Sequence, residues 1–229
     1  PGDVITVREG TYRERIDPPR GGTAEEPIVY RAAPGEDIVI TGSEPVDGWE
    51  QNDDGIWRRG FENAFFGEYN PYSDLIGGDW FEPLGRDHHT GDVYINGTSL
   101  PEAASLEALR NGDGTGWYAE TFSGVSTRLN ARFGDVDPNE ELVEINARPT
   151  VFYPSESGRD HITVRGFTMR HAATQWAPPT TEQIGLIGTH WSKGWVIEDN
   201  VISNSRCTGV TLGMFTPEEE FEQSAGGYN

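Results

Sequence analysis

The chain has 229 residues, 34% of them apolar, with 29 glycines and 15 prolines: enough for one large domain or two modest ones, and rich in turns. Its 38 acids against 17 bases give a formal net charge of −21, a surface that repels phosphate backbones and argues against a nucleic-acid partner. No run approaches the roughly 20 apolar residues that a spanning helix needs, so no membrane partner is expected, and the single cysteine, Cys207, excludes a disulfide within the chain.

Helix signals are weak from end to end. The segments "DVITVREGTYRERI" (3–16) and "PIVYRAAPGEDIVITGSE" (27–44) carry short alternating apolar runs broken by Gly, Pro and Asp, which is a strand signature. From Val46 to Arg148 the chain turns aromatic-rich. There "GDVYINGTSL" (91–100) reads as a strand, an Asn-Gly hairpin turn and a second strand, and "GWYAETF" and "STRLNARF" alternate like antiparallel strands of a sandwich. The one fair helix candidate is "SLPEAASLEALRNG" (Ser99–Gly112), with Leu106 and Leu109 three apart, Pro101 and Glu102 near its start and Gly112 after its end.

Past the middle the first pattern returns. Superimposing "HITVRGFTMRHA" (161–172) on "GWVIEDNVISNS" (194–205) at an offset of 33 pairs Ile162 with Trp195, Val164 with Ile197, Phe167 with Asn200 and Met169 with Ile202. Each reads as two short strands hinged by a tight bend, and recurrence at a few tens of residues suggests a solenoid of coils stacked in parallel. An offset of 33 is longer than a compact coil, and the surplus falls on Ala173–Lys193, expected to be a long loop leaving the stack. The expected architecture is all-β: first coils in 1–45, an inserted β-sandwich in 46–148, and resumed coils in 149–229. The acidic run Thr216–Asn229 closes the sequence without a strand, and Pro1 opens it without methionine or apolar leader, so a fragment is expected and the compartment is left open.

Several segments together look familiar. "VREGTYRERIDPPRGGT" and "YRAAPGEDIVITGSE" resemble the opening coils of right-handed parallel β-helix carbohydrate enzymes. "NAFFGEYNPY", "GDVYING", "DPNEELVEINAR" and above all "HAATQWAPPTTEQIGLIGTHWSKGWVIEDN" resemble the β-xylosidases of glycoside hydrolase family 120, over Pro1 to about Gly213. The resemblance implies a right-handed parallel β-helix interrupted by a sandwich. It also implies retaining hydrolysis of β-xylosides by an aspartate nucleophile and a glutamate acid/base, without a cofactor, on a carbohydrate substrate. Retaining enzymes hold two such carboxyl groups about 5–5.5 Å apart. No position here matches the motifs of those two acids, so the catalytic pair is expected downstream of Asn229 and this stretch alone is expected to be inactive.

Glu198 and Asp199 are adjacent, and neighbouring strand residues point to opposite faces, so they are poorly placed to act on one bond. Asn200 is read as the bend residue, tolerant of left-handed angles and able to align with its counterparts in an amide ladder. Trp176 and Trp191, with Gln183 and His171, are the substrate-binding candidates that the resemblance favours; the alternative is that the tryptophans pin the loop and His171 is a structural hydrogen-bonder. Asp87, His88 and His89 lack further ligands at useful spacing, and a surface loop is expected in place of a metal site. The acids of "DGWEQNDDG" lack the order of a calcium loop, and Asn96-Gly97-Thr98 fits a hairpin turn as readily as a glycosylation sequon. Cys207 is read as a small buried residue and not as a nucleophile. The charge is also that of proteins from salt-loving organisms, where salt screens self-repulsion.

Two other functions stay open. A polysaccharide lyase on the same architecture would need a basic groove or a bridging cation to neutralise a uronate carboxylate, and one lysine, Lys193, amid 38 acids speaks against it. A non-catalytic carbohydrate-binding solenoid would share the fold and lack the acids.

Overall fold

A computed structural model describes residues 1–52, 54–178, 181–182 and 184–213. These are nearly all β, with a single short α-helix and one 3-10 turn among the described residues. The acidic run from Thr216 lies outside them, as does Gln183.

Two four-stranded parallel sheets are built from strands far apart in sequence. The first runs Val4–Val7, Ile28–Ala32, Ile162–Arg165, Val196–Glu198, and the second Gly10–Tyr12, Ile38–Thr41, Thr168–Ala172, Val201–Ser205. The offset of 33 is the observed register, pairing Val164 with Ile197 and Met169 with Ile202. Apolar side chains of both sheets point into a common core of Ile28, Ile38, Ile40, Ile162, Val164, Phe167 and Met169. Burial of each stabilises the fold by roughly 1.5–3 kcal/mol.

The bend between the sheets departs from expectation in one respect. The left-handed residue is Asp199 (φ 54°), stacked 33 residues after Gly166 (φ 81°), and Asn200 is not itself left-handed. Asn200 instead reaches back to the preceding layer. Its side-chain N–H donates to the Val164 carbonyl (2.9 Å) and its Oδ1 accepts from the Phe167 N–H (3.0 Å). An Asn on a bend is therefore a tie between layers here, replacing backbone bonds that the turn breaks.

Ala173–Lys193 is not all loop. Ile187–Gly188 is a strand that pairs in parallel with Val210–Thr211, and the line continues through bridges to Phe152 and Ile16. Two residues are too few to show an alternation, which is why the sequence hid this third line. Gly188 is needed in it, because a Cβ there would stand 2.5 Å from the Tyr153 ring.

The middle of the chain forms two antiparallel sheets sharing an aromatic core. One runs Gly116–Phe122, Ser126–Arg132, Trp57–Glu62, Glu50–Gln51; the other runs Ser43–Pro45, Val143–Asn146, Val93–Ile95, Thr98–Ser99. Asn96 and Gly97, both with positive φ (50° and 79°), make the expected hairpin turn. The helix is shorter than its candidate segment. It spans Leu106–Asn111 and starts at Ser105, whose hydroxyl accepts the Ala108 N–H at 3.0 Å, while Glu102 serves elsewhere.

Candidate functional site

Each circuit of the chain visits the first parallel sheet, then the second, then the third line. Both long excursions leave at the same corner, after the second sheet. One follows Ile38–Thr41 and returns at Phe152; the other follows Thr168–Ala172 and returns at Ile187. The antiparallel sheets and the 173–186 segment therefore meet along one edge of the stack.

Beneath that corner lies a buried polar seam. Glu144, from the antiparallel sheets, accepts from the Arg13 guanidinium (2.7 Å) and from the Ser43 hydroxyl (3.0 Å). Since Ser43 donates to Glu144, its oxygen is left to accept from His171 Nδ1 (3.0 Å), which fixes the tautomer and leaves Nε2 buried without a partner. The Tyr94 ring stacks on His171 at 3.8 Å. Burial first, then the charges of Arg170 and Arg13, push the His171 imidazole down to about 4 against the opposing pull of Glu144. Burial alone would raise the Glu144 carboxyl, but Arg13 and Ser43 hold it below its usual range. His171 is thus a neutral, fully enclosed hydrogen-bonder that faces no surface.

The excursion from Ala173 is held on both sides. The Tyr69 hydroxyl lies 2.8 Å from the Ala173 carbonyl and 3.0 Å from the Asp74 carboxylate. Gln175 donates to that carboxylate (3.0 Å) and to the Leu75 carbonyl (3.1 Å). Trp176 donates to the Asp79 carbonyl (3.2 Å) and tilts against Phe81, with Gly78 so near that a Cβ there would come within 3.3 Å of the indole. It is a half-buried aromatic pinned to 78–81. Past the returning strand Ile187–Gly188, His190 and Trp191 take successive left-handed conformations (φ 46° and 62°). His190 donates from Nδ1 to the Pro154 carbonyl (2.9 Å) and stacks on Tyr153, whose hydroxyl donates to Glu182 (2.5 Å). Burial, then that carboxylate, raises the Tyr153 phenol, keeping it protonated. Trp191 is half-buried beside Gly213.

Trp176 therefore stands on the excursion, Trp191 lies past its return at Ile187–Gly188 on the connection to the next circuit, His171 lies under the excursion's root, and Gln183 lies outside the described residues. Sequence reasoning missed Tyr153, Glu182, Gln175 and Tyr69. Their types are unremarkable locally, and only the return of the chain at Ile187 brings them to this edge. The acids singled out at the start of the last circuit are elsewhere. Glu198 is exposed and pairs with Arg165 at 3.5 Å. Cys207 is half-buried, its thiol pushed up to about 11 by burial.

A second tie joins the antiparallel sheets to the stack. Glu102 accepts from the His89 ring (2.7 Å) and backbone (3.0 Å), while its other oxygen takes the Arg206 guanidinium (2.5 Å). His89 is thus no surface-loop residue: its ring is mostly covered, and His88 turns away to the Pro83 carbonyl (3.0 Å).

The scaffold is all-β, built of parallel layers, with aromatic and carboxylate side chains along the edge where its excursions leave. Residues 46–116 match the family model described as glycoside hydrolase 120, insertion domain. The chain is 44% identical, with a TM-score of 0.88, to a structure described as the complex of XylC with xylose; the likeness covers 91% of this chain and 36% of that one. A structure described as a glycoside hydrolase aligns over 79% of this chain and 46% of its own at 13% identity and a TM-score of 0.42, too distant to bear on fold or function. None of the curated proteins compared matches. In sequence and in structure, the chain resembles glycoside hydrolase family 120.

Proposed function

We propose that the protein is a family-120-type glycoside hydrolase that acts on β-xylosides or xylo-oligosaccharides with retention of configuration and without a cofactor. The observation that carries this reading is the likeness to XylC, whose structure is described with xylose bound. In this reading the parallel sheets of 1–45 and 149–229 are coils of a right-handed β-helix, and 46–148 is a sandwich inserted at one corner of a coil. Trp176 and Trp191, with Gln183, line the sugar, aromatic faces stacking on its apolar side while amide and carboxylate groups take its hydroxyls. His171 supports the root of that excursion from below as a positioning residue. The nucleophile and the acid/base come from residues other than those described. Their roles would follow the double displacement of retaining enzymes, one carboxylate attacking the anomeric carbon while the other protonates the leaving oxygen.

The test is hydrolysis of a chromogenic β-xyloside by the full-length protein, followed by proton NMR of the first-formed sugar. Release of xylose as the β-anomer is expected. No release from β-xylosides, β-glucosides or β-galactosides would sink the reading, and first appearance of the α-anomer would leave hydrolysis standing but remove retention.

A further inference from the structure

A cavity of about 450 Å³ opens on the antiparallel region; one of its walls, at Leu75, is hydrogen-bonded to Gln175 of the 173–186 excursion, and the function proposed above makes no use of it. Leu75, Asp87, His89, Tyr118, Glu120 and Phe122 line it. Ala119 and Thr121 border it as well, so residues 118–122 of one strand, Gly116–Phe122, all contribute; in that strand Trp117 and Ala119 face the core and are buried. Tyr118, Glu120 and Phe122 therefore share the opposite, outward face. An outward face ordinarily carries polar residues, yet here two of its three positions are aromatic, with a carboxylate between them.

The neighbouring groups are held in place. Arg128 lies over one face of the Phe122 ring at 4.8 Å and pairs with Glu120 at 3.9 Å, while Asn130 donates to Glu120 at 3.0 Å. Phe122 remains 40% exposed. His89 enters from the other wall. Nδ1 and the backbone N–H are both directed at Glu102, itself clamped by Arg206, so Nε2 is the ring nitrogen that Glu102 does not engage. Apolar rings, two carboxylates and an oriented imidazole make a lining that stacks a sugar ring and hydrogen-bonds its hydroxyls. Asp87 and Glu120 repel any anionic saccharide.

We propose that this cavity is a second saccharide site, taking a neutral oligosaccharide by stacking on Tyr118 and Phe122 with hydroxyls hydrogen-bonded to Glu120, Asp87 and His89. That the ligand is neutral follows from the lining; that it is a xylo-oligosaccharide rests on the function proposed above.

The experiment is titration of the full-length protein with thio-linked xylotriose, which resists hydrolysis, followed by calorimetry and by the ¹⁵N spectrum of labelled histidine. Thio-linked cellotriose and digalacturonate serve as comparisons. Xylotriose is expected to shift the His89 Nε2 resonance saturably. Glu120→Gln and Phe122→Ala should each weaken that event about tenfold or more, and Trp176→Ala should leave it in place. A His89 shift with cellotriose alone would uphold a neutral-saccharide site while overturning the xyloside assignment. A shift with digalacturonate alone, no shift with any of the three, or affinities untouched by Glu120→Gln and Phe122→Ala would overturn the site. The wild-type histidine spectrum decides even if a variant fails to fold.

Discussion

The two cores of this molecule solve the same packing problem with different side chains. Between the parallel sheets the buried filling is mainly aliphatic, with Ile28, Ile38, Ile40, Ile162, Val164, Met169 and Ile187 dominating, Phe152 and Phe167 as the buried aromatics, and Tyr12, Tyr30 and Trp195 packed at its margin. Between the antiparallel sheets it is aromatic: Trp49, Phe61, Phe66, Tyr72, Trp117 and Phe133. Stacked parallel layers repeat one cross-section, so each layer needs only a modest β-branched side chain in register with the last. Short antiparallel sheets have no such repetition and close their gap with a few large rings in mutual contact, tilted between Phe66 and Tyr72 and edge-to-face between Tyr72 and Trp117. The consequence is that stability is spread thinly over many residues in one region and concentrated in a few in the other.

Truncation separates the two. Trp117 is fully enclosed and its indole N–H donates to the Leu100 carbonyl at 3.1 Å. Trp117→Ala should destabilise by about 4 kcal/mol, while Met169→Ala, in the aliphatic stack, should cost about 2–3 kcal/mol. Urea unfolding of each variant, followed by Trp fluorescence and by far-UV circular dichroism, measures both. Equal losses would break the contrast between the cores, and coincident transitions would show that they unfold as one unit.

Legibility in the sequence followed the same division. The stack announced itself because its repetition is local: "HITVRGF" and "GWVIEDN" carry the offset of 33 that Val164 and Ile197 then realise. The hairpin was legible for a similar reason, since Asn96-Gly97 supplies the positive φ values its turn requires. What stayed hidden depends on contacts across long separations. Glu144 looked like one acid in an acidic chain until its strand brought it to Arg13, 131 residues away. Glu102 looked like a helix-start residue until His89 and Arg206 closed on it. The candidates Trp176 and Trp191 were visible as aromatics in a Pro-bearing run, whereas the neighbouring Tyr153–Glu182 pair had no signal until Gly188 let the Tyr153 ring pass.

The seam between the cores is where the comparison can be sharpened, because it is polar and neither region owns it. Glu144→Gln removes the only carboxylate that Arg13 reaches at hydrogen-bonding distance among the described residues and should cost about 3 kcal/mol, the low end for breaking a buried pair, because Arg13 is partly exposed. Replacing both partners with Leu should restore part of the loss, and a double-mutant cycle in urea reads the coupling. If Glu144→Gln matched wild type, the seam would be ornamental and the two regions would be held by apolar contact alone.

Acid should loosen the same seam. In the folded protein His171 stays neutral down to about 4, while in the unfolded chain it takes a proton near 6.5. Between those values the unfolded state binds more protons, so the contribution of His171 is complete above about pH 6.5 and is lost as pH falls towards 4. Glu144, held below its ordinary value, adds a loss in the same direction at still lower pH. Unfolding free energies measured from pH 7 to 4 should fall more steeply for wild type than for His171→Gln; parallel curves would show that another group sets the slope.

The smallest effect tests the bend. Asn200 donates and accepts between layers at 2.9 and 3.0 Å, so Asn200→Ala should strand the Phe167 N–H and the Val164 carbonyl and cost about 1–2 kcal/mol. Glu198→Ala, two residues away and removing an exposed pair with Arg165, should cost less than about 0.5 kcal/mol. The two substitutions together ask whether the "IEDN" bend is held by its charges or by its amide. If Glu198→Ala proved the more damaging, charge pairing along the outer face would be the tie between layers. The hydrogen-bond geometry of Asn200 assigns that tie to the amide, which joins consecutive layers without a repeated ladder of its own kind.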